Sequence, residues 1–149
     1  MKRIAVGLSL FALAASAAVV VAQEDVVKAR QDFMKENGRL LGAMGPMAKG
    51  EQPFDAAQAL SMLQAFNEHA QKLDVDAAFP EGSTQGKTRA LPAIWTDFAG
   101  FKQHAEELKV DAAAAVESAP QDAQALQAAM GMIGQNCGGC HEKYRAPES

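Results

Sequence analysis

Four stretches of this 149-residue chain place bulky apolar residues at intervals of three and four, with prolines and glycines between them. That rhythm matches the 3.6-residue turn of an α-helix, and no run of strict alternation competes with it. Segment A spans Asp25 to about Met47, with Val26, Val27, Phe33, Met34, Leu40, Leu41, Met44 and Met47 on its stripe. Gly45-Pro46 weakens its last turn and Gly50-Glu51-Gln52-Pro53 ends it, because proline lacks an N–H and restricts the residue before it. Asp55 is placed to cap segment B, which carries Ala59, Leu60, Leu63, Phe66, Ala70 and Leu73. Segment C starts near Pro92 and repeats Ile94, Phe98, Phe101, Ala105, Leu108 and Ala112 until Ser118-Ala119-Pro120 closes it. Segment D runs from about Asp122 to Arg145 with Leu126, Met130, Ile133, Cys137, Cys140 and Tyr144. Four such helices can enclose one core, so the chain is expected to be all-α, an antiparallel four-helix bundle. Residues 74–91, with Pro80, Gly82, Ser83, Thr84 and Gly86, are too polar for a core element and longer than a usual connection, which marks this crossover for a binding role.

Hydrophobic residues at 48% supply one domain of this length, and aromatics at only 6% argue against an all-β fold. The 18 acids outnumber the 14 bases, which excludes a nucleic-acid binder held by basic patches. Lys2 and Arg3 precede an apolar stretch from Ile4 to about Ala22, followed by Gln23-Glu24-Asp25. This is the pattern of a secretory signal peptide, residues 1–22, with an uncleaved anchor as the alternative. Cleavage leaves a domain of residues 23–149, without a membrane span, in an oxidising compartment outside the cytoplasm. N-terminal sequencing of the exported protein is expected to begin at Gln23.

The two cysteines stand together in Cys137-Gly138-Gly139-Cys140-His141, near the end of segment D. On a helix, positions 137, 140 and 141 share one face, so two sulfurs and an imidazole can engage one flat ligand. Cys-x-x-Cys-His is the attachment signature of c-type haem: the thiols add to the vinyl groups and the histidine supplies an axial nitrogen to iron. Three other readings compete. A redox-active dithiol normally follows a strand and opens a helix, a zinc site needs ligands beyond His69 and His104, and a plain disulfide leaves His141 without a task.

Only eight residues follow His141, and none is Met or His, so a second axial ligand must come from upstream. The candidates are Met34, Met44, Met47, Met62, Met130, Met132, His69 and His104. Methionine is a good core filler, and the polar neighbours of His69 and His104 place both on the surface. Met34 stands apart because Arg30 lies one turn before it on the same stripe, where a charge needs compensation. Two arrangements satisfy this spacing. Either Arg30 faces a haem propionate while Met34 faces iron, or Arg30 runs along the edge of the stripe to solvent.

Residues 25–145 resemble the class II cytochromes c, the group of cytochrome c prime and its low-spin relatives of the cytochrome c-556 type. The resemblance rests on Lys28-Ala29-Arg30-Gln31-Asp32-Phe33-Met34-Lys35, Lys49-Gly50-Glu51-Gln52-Pro53-Phe54-Asp55, Pro92-Ala93-Ile94-Trp95 and Cys137-Gly138-Gly139-Cys140-His141-Glu142-Lys143-Tyr144-Arg145. It implies a left-handed bundle around one covalent haem c, with Arg30 and Gln31 at the propionate edge. Arg89, in a crossover that departs from the family pattern, is a further candidate for that edge. The resemblance also implies a periplasmic protein without substrate turnover, dimers through segments A and B, and redox partner proteins. In the low-spin branch the residue matching Met34 ligates iron and the protein carries electrons. In cytochrome c prime that position is an apolar plug, sometimes itself Met, and five-coordinate iron binds nitric oxide or carbon monoxide. The string Met34-Lys35-Glu36-Asn37-Gly38-Arg39 looks more like the low-spin branch.

Overall fold

The computed structural model describes residues 9–84 and 86–147, with side chains from residue 25 onward. Part of the predicted secretory segment, residues 1–8, lies outside the described residues. Helix α1 runs Ser9–Ala43, and a tight turn at Met44 leads into α2, Gly45–Ala48, with Pro46 in its first turn. Segment A is therefore two helices, divided where the proline withholds a backbone donor. Helix α3, Ala56–Ala70, starts where Asp55 accepts the Gln58 backbone N–H at 2.9 Å. Helix α7, Ala123–Tyr144, starts in the same way, with Asp122 accepting from the Ala125 N–H at 2.7 Å. Both caps satisfy a backbone donor that a helix start leaves unpaired.

Segment C differs from its expectation. It divides into α5, Ala93–Thr96, and α6, Phe98–Glu117, at Asp97. The backbone of Asp97 leaves the helical region and its carboxylate caps the Gly100 N–H at 3.3 Å. The crossover also departs from the purely polar loop expected of it. A short helix, α4, Val75–Ala78, opens it, and Leu73, Val75, Phe79 and Ser83 are all buried.

Helices α1, α3, α6 and α7 form the expected antiparallel bundle, whose interior divides into two clusters. Met44, Met47, Leu63, Phe66, Leu108, Leu126 and Ile133 are among the first; Leu73, Val75, Phe79, Ile94, Phe101 and Tyr144 are among the second. Cys137 packs against the first cluster and Cys140 against the second, so the motif sits at their seam. Among the described residues, no helix is long and apolar enough to cross a membrane.

The crossover is laced to the end of α7. Leu91 N–H donates to the Tyr144 carbonyl at 3.0 Å, Ala146 N–H donates to the Arg89 carbonyl at 2.8 Å, and Ala90 and Arg145 form an antiparallel bridge. Phe66, 1% exposed, lies within the first cluster. Phe66→Ala is expected to lower the unfolding free energy by about 3–5 kcal/mol, read from urea titration, with haem content unchanged.

Candidate functional site

The last two turns of α7 bring Cys137, Cys140 and His141 to one face, each half-buried, and both thiols are free. Burial pushes the Cys137 thiol above its usual range. Burial, with the neighbouring Cys137, pushes Cys140 up to about 11. These are neutral thiols, and a dithiol oxidoreductase needs the thiolate. The His141 imidazole is pushed down by burial first, and then by the positive charges of Arg145 and Arg89. It is neutral at pH 7, the form that binds a metal through a ring nitrogen.

Arg30 is only 6% exposed, which removes the solvent-facing alternative. Its Nη1 donates to the Ser83 Oγ at 3.3 Å and its Nη2 to the Ser83 carbonyl at 3.0 Å, while its guanidinium lies 4.8 Å above the Phe79 ring. Among the described residues no carboxylate stands within ion-pair distance of it, and burial lowers its pKa. A buried cation held only by neutral oxygens and an aromatic face invites an anion. Beside it is a cavity of about 220 Å³ lined by Arg30, Phe33, Met34, Lys72, Leu73 and Phe79, among others.

The other predicted residues fall in three places. Gln31 donates from Nε2 to the Lys87 carbonyl at 2.7 Å, tying α1 to the crossover. Arg89 donates from Nε and Nη2 to the Ala146 carbonyl at 2.9 and 2.7 Å, so it serves the end of α7. Met44 and Met47 are fully buried in the first cluster, and Met62, Met130 and Met132 pack against it, as core fillers should.

The two upstream histidines correct their sequence reading, for both are half-buried rather than on the open surface. His69 stacks on Phe33 with ring centres 4.2 Å apart, its Nε2 3.1 Å from the Phe33 carbonyl oxygen. His104, 29% exposed, meets Tyr144 edge-on at 5.9 Å and lies against Gly139 inside the motif. Their polar sequence neighbours occupy the outer faces of α3 and α6, while the rings turn toward other helices.

Sequence reasoning also missed Asp97. Its Oδ2 accepts from the Tyr144 hydroxyl at 2.7 Å and from Lys143 Nζ at 2.5 Å, which clamps the residues next to His141. The hydrogen bonds from Lys143 and Tyr144 hold its carboxyl down to about 2. The spacing from Asp97 to Gly100 was a readable cap signal; the attachment to α7 had no local signature.

A family model described as Cytochrome C' matches residues 25–145. The chain belongs to the class II cytochromes c. A cytochrome c-556 from Rhodopseudomonas palustris is 38% identical over 143 residues, covering 92% of this chain and 93% of the relative. A cytochrome c' from the same organism is 37% identical over 130 residues, covering 87% of each. Among solved structures, a nitric oxide complex of a variant cytochrome c prime from Alcaligenes xylosoxidans superposes with a TM-score of 0.75. It is 34% identical and covers 85% of this chain and 97% of the other. Identity is nearly the same toward both branches, so the residues around the site must discriminate them.

The cofactor of the family is covalently attached haem c. The described residues fit it: two free thiols and a neutral imidazole share one face of α7, and a buried guanidinium on α1 without a carboxylate partner borders a cavity whose wall is built by α1, the residues just after α3 and the crossover. The protein is thus a haem protein of the kind that carries electrons or binds gas.

Asp97 generates a pH dependence. Its carboxyl is depressed in the folded state, so its stabilisation is complete above the usual value near 3.8 and is lost as pH falls toward about 2. Asp97→Asn is expected to lower the thermal midpoint at pH 7 and to flatten the decline below pH 4. A methyl group on residue 100 would stand 2.6 Å from the Asp97 Oδ2, so Gly100→Ala is expected to lower the midpoint in the same direction. An acid limb of Asp97→Asn that matches the unaltered protein would refute the assignment.

Proposed function

We propose that the protein is a periplasmic electron carrier, exported by residues 1–22, with Cys137 and Cys140 bound to the haem, His141 as one axial ligand and Met34 as the other. When bound, the haem iron supplies a one-electron couple. The observation that carries this reading is the shared position of Met34 and Arg30 on the cavity wall, with Arg30 buried and lacking a carboxylate. A propionate would complete the charge of Arg30 and so hold the porphyrin edge on the α1 side, the side that carries Met34. Gln31 supports that edge indirectly, since its bond to Lys87 holds the crossover against α1.

The arrangement suits electron transfer because the chain around the ligands is tied down on both sides. Two fixed axial ligands keep the geometry similar in both oxidation states, and a thioether favours the reduced one. His141 follows Cys140 directly and precedes Lys143 and Tyr144, whose bonds to Asp97 hold the end of α7 in place. Redox proteins are the expected partners, and α1 and α3 are the candidate faces for a homodimer.

A second reading is favoured by the nitric oxide complex of the 34% identical structure. There Met34 would stand near the iron as an apolar plug and the site would take nitric oxide or carbon monoxide. Optical spectra separate the two. Low-spin bands with a methionine-to-iron charge-transfer feature support the carrier, and high-spin bands that shift under carbon monoxide support the gas binder. Met34→Ala is expected to turn the haem high-spin and to lower its reduction potential. An unchanged spectrum in that variant removes Met34 as ligand.

A further inference from the structure

One turn beyond Met34 on α1 stands Asn37, which the electron-transfer reading leaves without a task. Its Nδ2 lies 3.9 Å from the Met34 sulfur, within reach of an N–H···S hydrogen bond. Its Oδ1 is buried and has no hydrogen-bond partner. Helix α1 continues for six residues past it to Ala43, and asparagine is a poor occupant of a helix interior, because its amide competes with the backbone. A buried oxygen without a donor adds a second cost. An apolar side chain would fill the same space with neither penalty, but it could not offer an N–H to the sulfur.

A thioether sulfur has two lone pairs and is a weak hydrogen-bond acceptor. One pair can face iron while the other accepts from an amide. On the residue before Met34, Phe33 stacks on His69, and the His69 ring is itself anchored on the Phe33 carbonyl. Residues 33, 34 and 37 of α1 thus present a packed aromatic, a thioether and an amide aimed at that thioether.

We propose that Asn37 is a positioning residue for the distal ligand: its amide donates to the Met34 sulfur and fixes the rotamer that turns the other lone pair toward the iron. The proposal rests on the reading of Met34 as an axial ligand. Groups that hydrogen-bond to a metal ligand set both its orientation and its donor strength. Here the hydrogen bond withdraws electron density from sulfur and is stronger when the sulfur is more electron-rich, as it is over ferrous iron. It therefore favours the reduced state.

The test compares the haem-loaded protein with its Asn37→Leu and Asn37→Gln variants. In Asn37→Leu, imidazole, which competes with Met34 for ferric iron, is expected to bind roughly twofold more tightly, as the loss of one weak hydrogen bond at the low end of the usual range predicts. The charge-transfer band shifts or weakens and the midpoint potential falls. Asn37→Gln keeps an amide donor and is expected to return part of each change. Should the leucine variant fail to take up haem, Asn37→Ala removes the amide donor without adding bulk or charge and is read in the same way. Unchanged imidazole affinity, band and potential in a folded leucine variant overturn the role of Asn37 and leave Met34 in place. A high-spin spectrum of the unaltered protein, without the charge-transfer band, overturns the Met34 reading and this proposal with it.

Discussion

A guanidinium withdrawn from water has to find oxygen or charge elsewhere, and Arg30 organises one side of the molecule through that requirement. It donates two bonds to Ser83 and rests on the face of Phe79, both in the crossover, and so draws a polar segment down onto α1. The other end of the same segment is fastened to the last turn of α7 through Leu91 and Arg89. One stretch of chain therefore links the helix bearing Met34 to the helix bearing His141. Arg30 also explains why a loop with so many turn residues contributes Phe79 and Ser83 to the interior. The anion that neither Ser83 nor Phe79 supplies is the natural place for a propionate.

A second anchor is Asp97. Its carboxylate caps α6 and holds Lys143 and Tyr144, and from Tyr144 a series of edge-on aromatic contacts leads through Phe101 to Phe79, under Arg30. Cys140 packs against this aromatic cluster. Cys137 is buried by the other cluster, and both thiols are neutral, which keeps them from acting as nucleophilic thiolates on their own. Attachment of haem through them is then a matter for assisted chemistry, and the fold contributes by holding both sulfurs on one face.

Much of this was legible locally. Asp55 and Asp122 could be recognised as caps because a cap bonds within three residues, and the apolar stripes could be assigned because helical periodicity is itself local. The division of segment C at Asp97 was hidden, since the carboxylate is held in part by a hydroxyl 47 residues away. The histidines were misplaced for a related reason: local polarity reports the face a residue shares with its neighbours, and it is silent on a ring that reaches across to another helix. His69 meets Phe33 of α1, and His104 meets Tyr144 of α7.

By itself the sequence determined the helical class, the order of the segments and the common face of Cys137, Cys140 and His141, all of which follow from the pitch of a single helix. It also placed Arg30 and Met34 one turn apart. Only the tertiary structure decided that Arg30 turns inward to Ser83, that Asp97 grips the end of α7, and that Asn37 directs its amide at Met34 while its oxygen stays unpaired. Each of these depends on side-chain rotamers and burial that arise when helices and crossover meet. Spacing along the chain sets Asn37 and Met34 one turn apart, but not which way their side chains turn or what buries them.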